Sequence, residues 1–463
     1  MAEKNELREK LFYEQKNGYD LIDTSERIAL EDYCAGYMRF LNESRTEREA
    51  VRNAIAMAEA KGFVELLPGM ELHPGMKVYR SNRGKSLLLA VVGKKSLAEG
   101  CNVAAAHVHA PRLDLKQLPL IETDEMAYFK THYYGGIKKY QWVTIPLELH
   151  GVVALRSGET VDVVIGRDKN DPQFVITDLL PHLAADQMSK KAPDIIKGEN
   201  LSILIGSAPY ADEGKDRVKL AVMSILNDSY GICEEDFLSA ELEVVPGFDV
   251  REIGLDRSLI GGYGHDDRVC AYAELKAIFD IAEPETTAVC ILADKEEIGS
   301  EGTAGMKSEA FECFMEDLCA AMGVDKRRCF EKSLCISADV CNAFDPIYPE
   351  VSDKRNNAKA NYGMGICKYT GARGKSGTND ADAATVGKLR KIFGEANVVW
   401  QMAELGKVDQ GGGGTVAMYM AKRNISTIDA GVPVLSMHAP FEVVSKFDCY
   451  MTYKGVKAVY ERN

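Results

Sequence analysis

The chain has 463 residues, too many for one compact core, so two or three domains are expected. A hydrophobic content of 46%, a charged content of 27% and a net charge of −14 describe an ordinary globular protein and exclude a general binder of nucleic acid or of anionic membranes. No stretch approaches the ~20 continuous apolar residues of a membrane span, and the start lacks the apolar core of a signal peptide, so the expected location is the cytoplasm. The 12 cysteines form no Cys-x-x-Cys pair, and several, such as Cys290 and Cys335, lie inside apolar runs, as reduced and packed thiols do.

In chain order, two helices are expected between Glu26 and Gly62, the second opening on the capping-box spacing Thr46-Glu-Arg-Glu49. Met76-Lys-Val-Tyr-Arg80 and Ser86-Leu-Leu-Leu-Ala-Val-Val92 flank Asn82-Arg-Gly84 and read as a hairpin. A further strand, Val103 to His109, ends at Pro111. Beyond about Leu118 the texture changes to short β runs, among them Trp142-Val-Thr-Ile145, Gly151 to Leu155, Thr160 to Ile165, Leu201 to Ile205 and Glu241 to Val245, around a polar segment from Ala184 to Glu199. The expected organisation is an α/β body made of residues 1–118 and 250–463, its mixed sheet covered by helices, interrupted by a β-rich insert at 119–249; the alternative is that the insert continues the first sheet.

From Asp267 to Ile281, Val269, Tyr272, Leu275, Ile278 and Phe279 share one helical face. Strands follow at Thr287 to Leu292, Leu334 to Ala338, Val398 to Gln401 and Thr427 to Leu435, with helical stretches between them, which implies a largely parallel or mixed sheet covered on both faces. Five places at or near strand ends in this body carry metal-type side chains: His107 with His109, Asp266 with Asp267, Glu296 with Glu297, Asp339, and His438. A charged or imidazole group just past a buried strand is costly unless paired or metal-bound. Two imidazoles and four carboxylates suit a pair of divalent ions such as zinc, manganese or cobalt. Glu296 and Glu297, if extended, point to opposite sides, so one can hold metal while its neighbour faces an attacking water.

Two motifs have blander readings. Gly371-Ala-Arg-Gly-Lys-Ser376 looks like a phosphate loop, but Tyr369 stands where the first glycine belongs and no apolar strand leads into it. Gly411-Gly-Gly-Gly414 before Thr415 is either a flexible turn and helix start or a backbone amide surface close to substrate.

The set Ala106-His-Val-His-Ala-Pro-Arg-Leu-Asp-Leu-Lys116, Thr131-His-Tyr-Tyr-Gly-Gly-Ile-Lys-Lys-Tyr-Gln-Trp142, Gly264-His-Asp-Asp-Arg268, Asp294-Lys-Glu-Glu-Ile-Gly299, Ser337-Ala-Asp339, Asp409-Gln-Gly-Gly-Gly-Gly-Thr415 and Ser436-Met-His-Ala-Pro440 resembles the M18 family of metallo-aminopeptidases, in the family's order over nearly the whole chain. The resemblance implies a dinuclear zinc catalytic domain, a β-rich oligomerisation insert, a dodecameric particle and peptide substrates with a free N-terminus. It also implies that His107 and Asp339 share one ion and Glu297 and His438 the other, that Asp266 bridges them, and that Glu296 is the general base. His150 matches a substrate-pocket histidine, and Lys368 matches a position near the substrate where it would favour an acidic first residue. Where the family has His-x-Asp this chain has His109, in place of a carboxylate that orients the metal-bound histidine, which puts activity in question. The expected function is therefore a metal-dependent aminopeptidase. The alternatives are a metal-binding assembly protein with weakened or lost activity, and a two-metal phosphoesterase, which would need an arginine clamp that the site motifs lack.

Overall fold

The computed structural model describes residues 7, 8 and 10–461. Its main body is a mixed nine-stranded sheet in the order Val64–Glu65, Lys77–Asn82, Ser86–Val91, Ala288–Ala293, Asn102–His107, Leu334–Ser337, Ser426–Gly431, Met364–Cys367 and Trp400–Met402. The four strands Ala288–Ala293, Asn102–His107, Leu334–Ser337 and Ser426–Gly431 run parallel, which brings their C-terminal ends to one edge of the sheet. Ligands gather at that edge in open α/β sheets.

The near-continuous apolar strands are explained by helices on both faces. Leu87, Leu89, Cys290 and Leu292 face one core with Tyr37, Leu275 and Phe447, while the alternate residues Leu88, Ala90, Val289 and Ile291 face a second core with Phe314, Leu318 and Met420. The helix His265–Phe279 is buried along almost its whole length against the sheet, so it has no solvent face and no amphipathic stripe. The capping box at Thr46 forms as expected, with the Thr46 hydroxyl accepting from Glu49 N and the Glu49 carboxylate accepting from Thr46 N.

The segment between the two halves of the body forms a sheet of its own, Thr160–Ile165, Leu147–Ala154, Ala240–Pro246, Arg112–Thr123, Met126–Tyr134 and Ile203–Gly206, over a separate core that includes Trp142, Leu147, Ile203 and Phe237. It does not extend the nine-stranded sheet, and its first strand starts at Arg112. Trp142 to Ile145 is not a strand: a single helical turn, Lys139–Gln141, runs into turns there, and the strand begins at Leu147. The run Thr427 to Leu435 divides at Val432, because Ser426–Gly431 belongs to the main sheet whereas Pro433–Leu435 joins a third sheet with Glu442–Ser445, Leu259–Gly262, Arg251–Ile253 and Cys341–Asn342. All 12 cysteines are unbridged, and only Cys233 and Cys313 are exposed. No described helix is long and apolar enough to cross a membrane.

Candidate metal centre

Three parallel strands deliver their following residues to one cleft of about 400 Å³: His107 at the end of Asn102–His107, Glu296 and Glu297 after Ala288–Ala293, and Asp339 after Leu334–Ser337. Asp266 enters from the first turn of the helix His265–Phe279, and His438 from the loop after Pro433–Leu435. The chain turns sharply to aim these groups, since Lys295 and His438 both hold left-handed backbone, at φ 68° and 63°. Such conformations are uncommon for non-glycine residues and cluster at functional sites. Gly264, at φ 76°, must be glycine, because a Cβ there would collide with the Arg268 guanidinium. Glu296 and Glu297 lie in a short helical turn, Glu296–Ile298, rather than in extended chain, and both face the cleft.

Two groups of donor atoms meet at Asp266, namely His107, Asp266 and Asp339, and Asp266, Glu297 and His438; a third, His107, Glu296 and Glu297, overlaps both. His107 Nε2 lies 3.4 Å from Asp339 Oδ1, and His438 Nε2 lies 3.0 Å from Asp266 Oδ2 and 3.5 Å from Glu297 Oε1. Donors bound tetrahedrally at about 2.0–2.1 Å stand about 3.3 Å apart, so these separations fit one ion in each group. His438 supplies a further sign of fit. Its Nδ1 lies 2.9 Å from the Gly136 carbonyl, an acceptor only, so Nδ1 carries the proton and the Nε2 lone pair is turned toward two carboxylates. Lone pair against carboxylate is stable only with a cation or a proton between them.

The electrostatics agree. Burial, reinforced by the Asp339, Asp266 and Asp267 charges and opposed by His107, pushes Glu296 up to about 8. Burial likewise raises Glu297 well above the usual carboxylate range. Burial works against protonated His438, but the hydrogen bond to Asp266 and the charges of Asp266 and Glu297 carry it to about 11. Acids crowded this closely favour a positive charge among them, which a dication supplies as well as a protonated imidazole does.

The surroundings hold the donors from behind. Glu442, 1% exposed, accepts from Asp266 N at 3.0 Å and from His438 N at 2.6 Å, and so braces the backbone of two donors at once. Sequence reasoning missed Glu442; its signal was an acid opening the apolar run Glu442-Val-Val-Ser445 just after His438. Gly135, at φ 74°, brings the insert's chain against Glu297, whose Oε2 lies 3.3 Å from where a Cβ would stand. The four-glycine run also belongs to the cleft wall, through Gly412, Gly413 and Gly414, and is tied down by the Thr415 hydroxyl donating to buried Asp429 at 2.7 Å.

Three sequence expectations are corrected. His109 does not orient His107: His107 Nδ1 faces Asp267 Oδ1 at 3.3 Å, while His109 turns away to Asp294 at 2.5 Å, the Tyr134 hydroxyl at 2.8 Å and Glu47 at 3.4 Å. The strand ends at His107, so the alternation of a strand, which would place residues two apart on one face, does not reach His109. A carboxylate therefore still backs His107, and the ground for doubting activity falls away. His150 does not reach the cleft of its own chain, being buried between Glu49 at 2.8 Å and Glu148 at 3.1 Å. Lys368 is half-buried and follows the strand Met364–Cys367; its neighbours Cys367 and Thr370 line the cleft, whereas Lys368 does not. The sequence Gly371 to Ser376 forms a tight turn closed by an Ala372–Ser376 bridge, with no strand leading directly into it.

Asp267 is the partner to test, because it belongs to none of the donor groups and yet faces the metal-type histidine. Asp267→Ala is expected to weaken zinc binding by about 10–100-fold, the range for carboxylates behind a ligating histidine. Competition with a coloured chelator measures it, and an unchanged affinity would remove Asp267 from the site.

The family model described as "Aminopeptidase I zinc metalloprotease (M18)" matches residues 40–460. A Clostridium acetobutylicum protein named "Probable M18 family aminopeptidase 1" is 47% identical over 457 residues, covering 97% of this chain and 98% of that protein. The crystal structure of an M18 aminopeptidase from Thermotoga maritima superposes with a TM-score of 0.94 at 44% identity, covering 98% of this chain and 100% of that one. A more distant likeness, 20% identical with a TM-score of 0.75 over 92% of this chain and 96% of that one, is the S. cerevisiae mApe1 dodecamer. With a family match over most of its length and close relatives matched end to end, the chain belongs to the M18 family of zinc metallo-aminopeptidases.

Proposed function

We propose that this aminopeptidase removes the N-terminal residue of peptides at a two-ion centre in which His107 and Asp339 hold one ion, Glu297 and His438 the other, and Asp266 lies between. The observation that carries the reading is the sharing of Asp266 by two donor groups. Zinc is the metal the family description names. Divalent ions bound in this way lower the pKa of water and polarise a carbonyl.

The residues of the chain do the rest. Glu296 is positioned beside His107 and Glu297 to take the proton of the attacking water and return it to the leaving amine. Asp267 and the Gly136 carbonyl hold the two imidazoles so that each turns its Nε2 inward. The remaining cleft wall, with Val340, Cys341, Cys367, Leu405 and Met437 and no lysine or arginine among the described lining residues, suits a neutral first side chain. The reading is tested by counting zinc in protein stripped of metal and then reloaded. Two ions per chain support it, and saturation at one overturns it.

The insert is the proposed assembly element, as the dodecameric relative invites. It leaves large apolar side chains in water, with Leu183 69% and Ile225 64% exposed, and Leu179, Leu180 and Met188 exposed beside Leu183 in sequence. Apolar surface of that kind marks an interaction site. The double variant Leu183→Glu, Ile225→Glu is expected to leave folded chains that no longer form a large particle. Light scattering decides it, and an unchanged particle mass would place the interface elsewhere.

A further inference from the structure

Three glycines of the run 411–414, Gly412 to Gly414, line one wall of the cleft, and the four are not equivalent. Gly411 and Gly412 are glycines for the protein's own sake: a Cβ on Gly411 would lie 1.7 Å from the Leu405 carbonyl oxygen, and one on Gly412, at φ 124°, 2.4 Å from the Ala372 backbone. Gly413 is different. A Cβ there would meet nothing within 4 Å, no left-handed φ demands glycine, and yet the residue lines the cleft.

The hydrogen bonds show a matching pattern. The Gly413 amide donates to the Thr370 carbonyl at 2.9 Å and the Gly411 amide to the Lys407 carbonyl at 3.3 Å. Among the described residues, the Gly412 and Gly414 amides donate to no group of the chain. The run is not a strand and the Gly411 bond is that of a local turn, but the free Gly412 and Gly414 amides stand at the cleft as main-chain donors open to an incoming peptide. The run is held for such a role, since Thr415 anchors it to buried Asp429.

We propose that Gly412, Gly413 and Gly414 form a subsite for the main chain of the leaving peptide, in which the free amides of Gly412 and Gly414 donate to substrate carbonyls and the absent side chain of Gly413 leaves room for the peptide to lie close. The inference rests on the aminopeptidase reading of the same cleft. In that reading the carbonyl of the first residue is the one that reacts at the donor cluster, so the first carbonyl free to accept from the glycine run belongs to the second residue. Peptides are thereby separated from compounds that end just after the scissile bond.

The test uses the zinc-loaded wild type and the variants Gly413→Ala and Gly413→Val, with leucine p-nitroanilide and the tripeptide Leu-Gly-Gly as substrates. Gly413→Val is expected to raise KM for the tripeptide by about tenfold or more while kcat/KM for the anilide stays within about twofold, the signature of lost ground-state binding to the leaving part. Gly413→Ala should fall between. Equal melting temperatures confirm folding. On the wild type alone, leucine N-ethylamide, which lacks the second carbonyl, is expected to show a higher KM than leucyl-glycinamide. Equal losses on the anilide and the tripeptide, or none on either, or equal KM for the two amides, overturn the subsite. A wild type that cleaves no N-terminal residue would instead sink the underlying assignment, and the two failures are distinguishable.

Discussion

Glu296→Gln will keep the fold and the metal content and lose about 10²–10⁴-fold in kcat, the range that general acid–base groups supply, or about 3–5 kcal/mol of barrier. The amide has the shape of the carboxyl group but cannot accept the water's proton. Glu296 lies within reach of His107 and Glu297 in the wall of the cleft. It stands outside the two donor groups that contain Asp266 but in a third with His107 and Glu297, so turnover and zinc content are measured together. Steady-state turnover of an amino-acid anilide, measured beside the zinc content, checks both halves. Full turnover by the variant would dismiss Glu296 as the base, and loss of zinc would make it a ligand.

Asp266→Asn carries the second large effect. Asp266 is 4% exposed, stands in two donor groups and lies 3.0 Å from His438 Nε2. Neutralising it removes negative charge from both groups at once and leaves a buried amide that cannot serve two cations. Zinc binding is expected to weaken by more than the roughly 10–100-fold typical of groups that merely orient a ligand. Activity should fall below that of Asp267→Ala. Zinc stoichiometry and chelator competition on Asp266→Asn decide the matter: if one ion dissociates while the other keeps its affinity, Asp266 serves a single group and does not bridge.

Much of this site was legible in the order of residue types along the chain. His107, Glu296, Glu297, Asp339 and His438 each follow an apolar β run closely, and a buried strand must deliver whatever comes next to the edge of its sheet. Parallel pairing then needs no long-range information to bring those ends together, because the strands share a direction. The capping box at Thr46 and the hairpin around Asn82 to Gly84 were legible for the same reason: both are set by contacts only a few residues apart.

His109 shows where such reasoning stops. Two residues after His107, it would share that face if the strand continued, but the strand ends at His107, and a residue past the end takes its direction from partners far away in sequence. Those partners are Glu47, Tyr134 and Asp294, brought from a helix, the insert and a loop. His150 fails in the same way, since the acids that bury it come from its own strand and from the helix Glu47–Glu59.

The sequence by itself therefore determined the body's α/β class, which candidate donor residues follow its strands, and the family. It could do so because apolar period, strand ends and motif order are local properties that survive without coordinates. Only the tertiary structure decided which carboxylate stands behind His107, that Glu442 braces Asp266 and His438 together, that the insert's Gly136 carbonyl turns His438, and which glycines of the 411–414 run the fold itself requires. Each of those depends on groups tens to hundreds of residues apart meeting within about 3 Å, the reach of a hydrogen bond, and no local pattern encodes a distance of that kind.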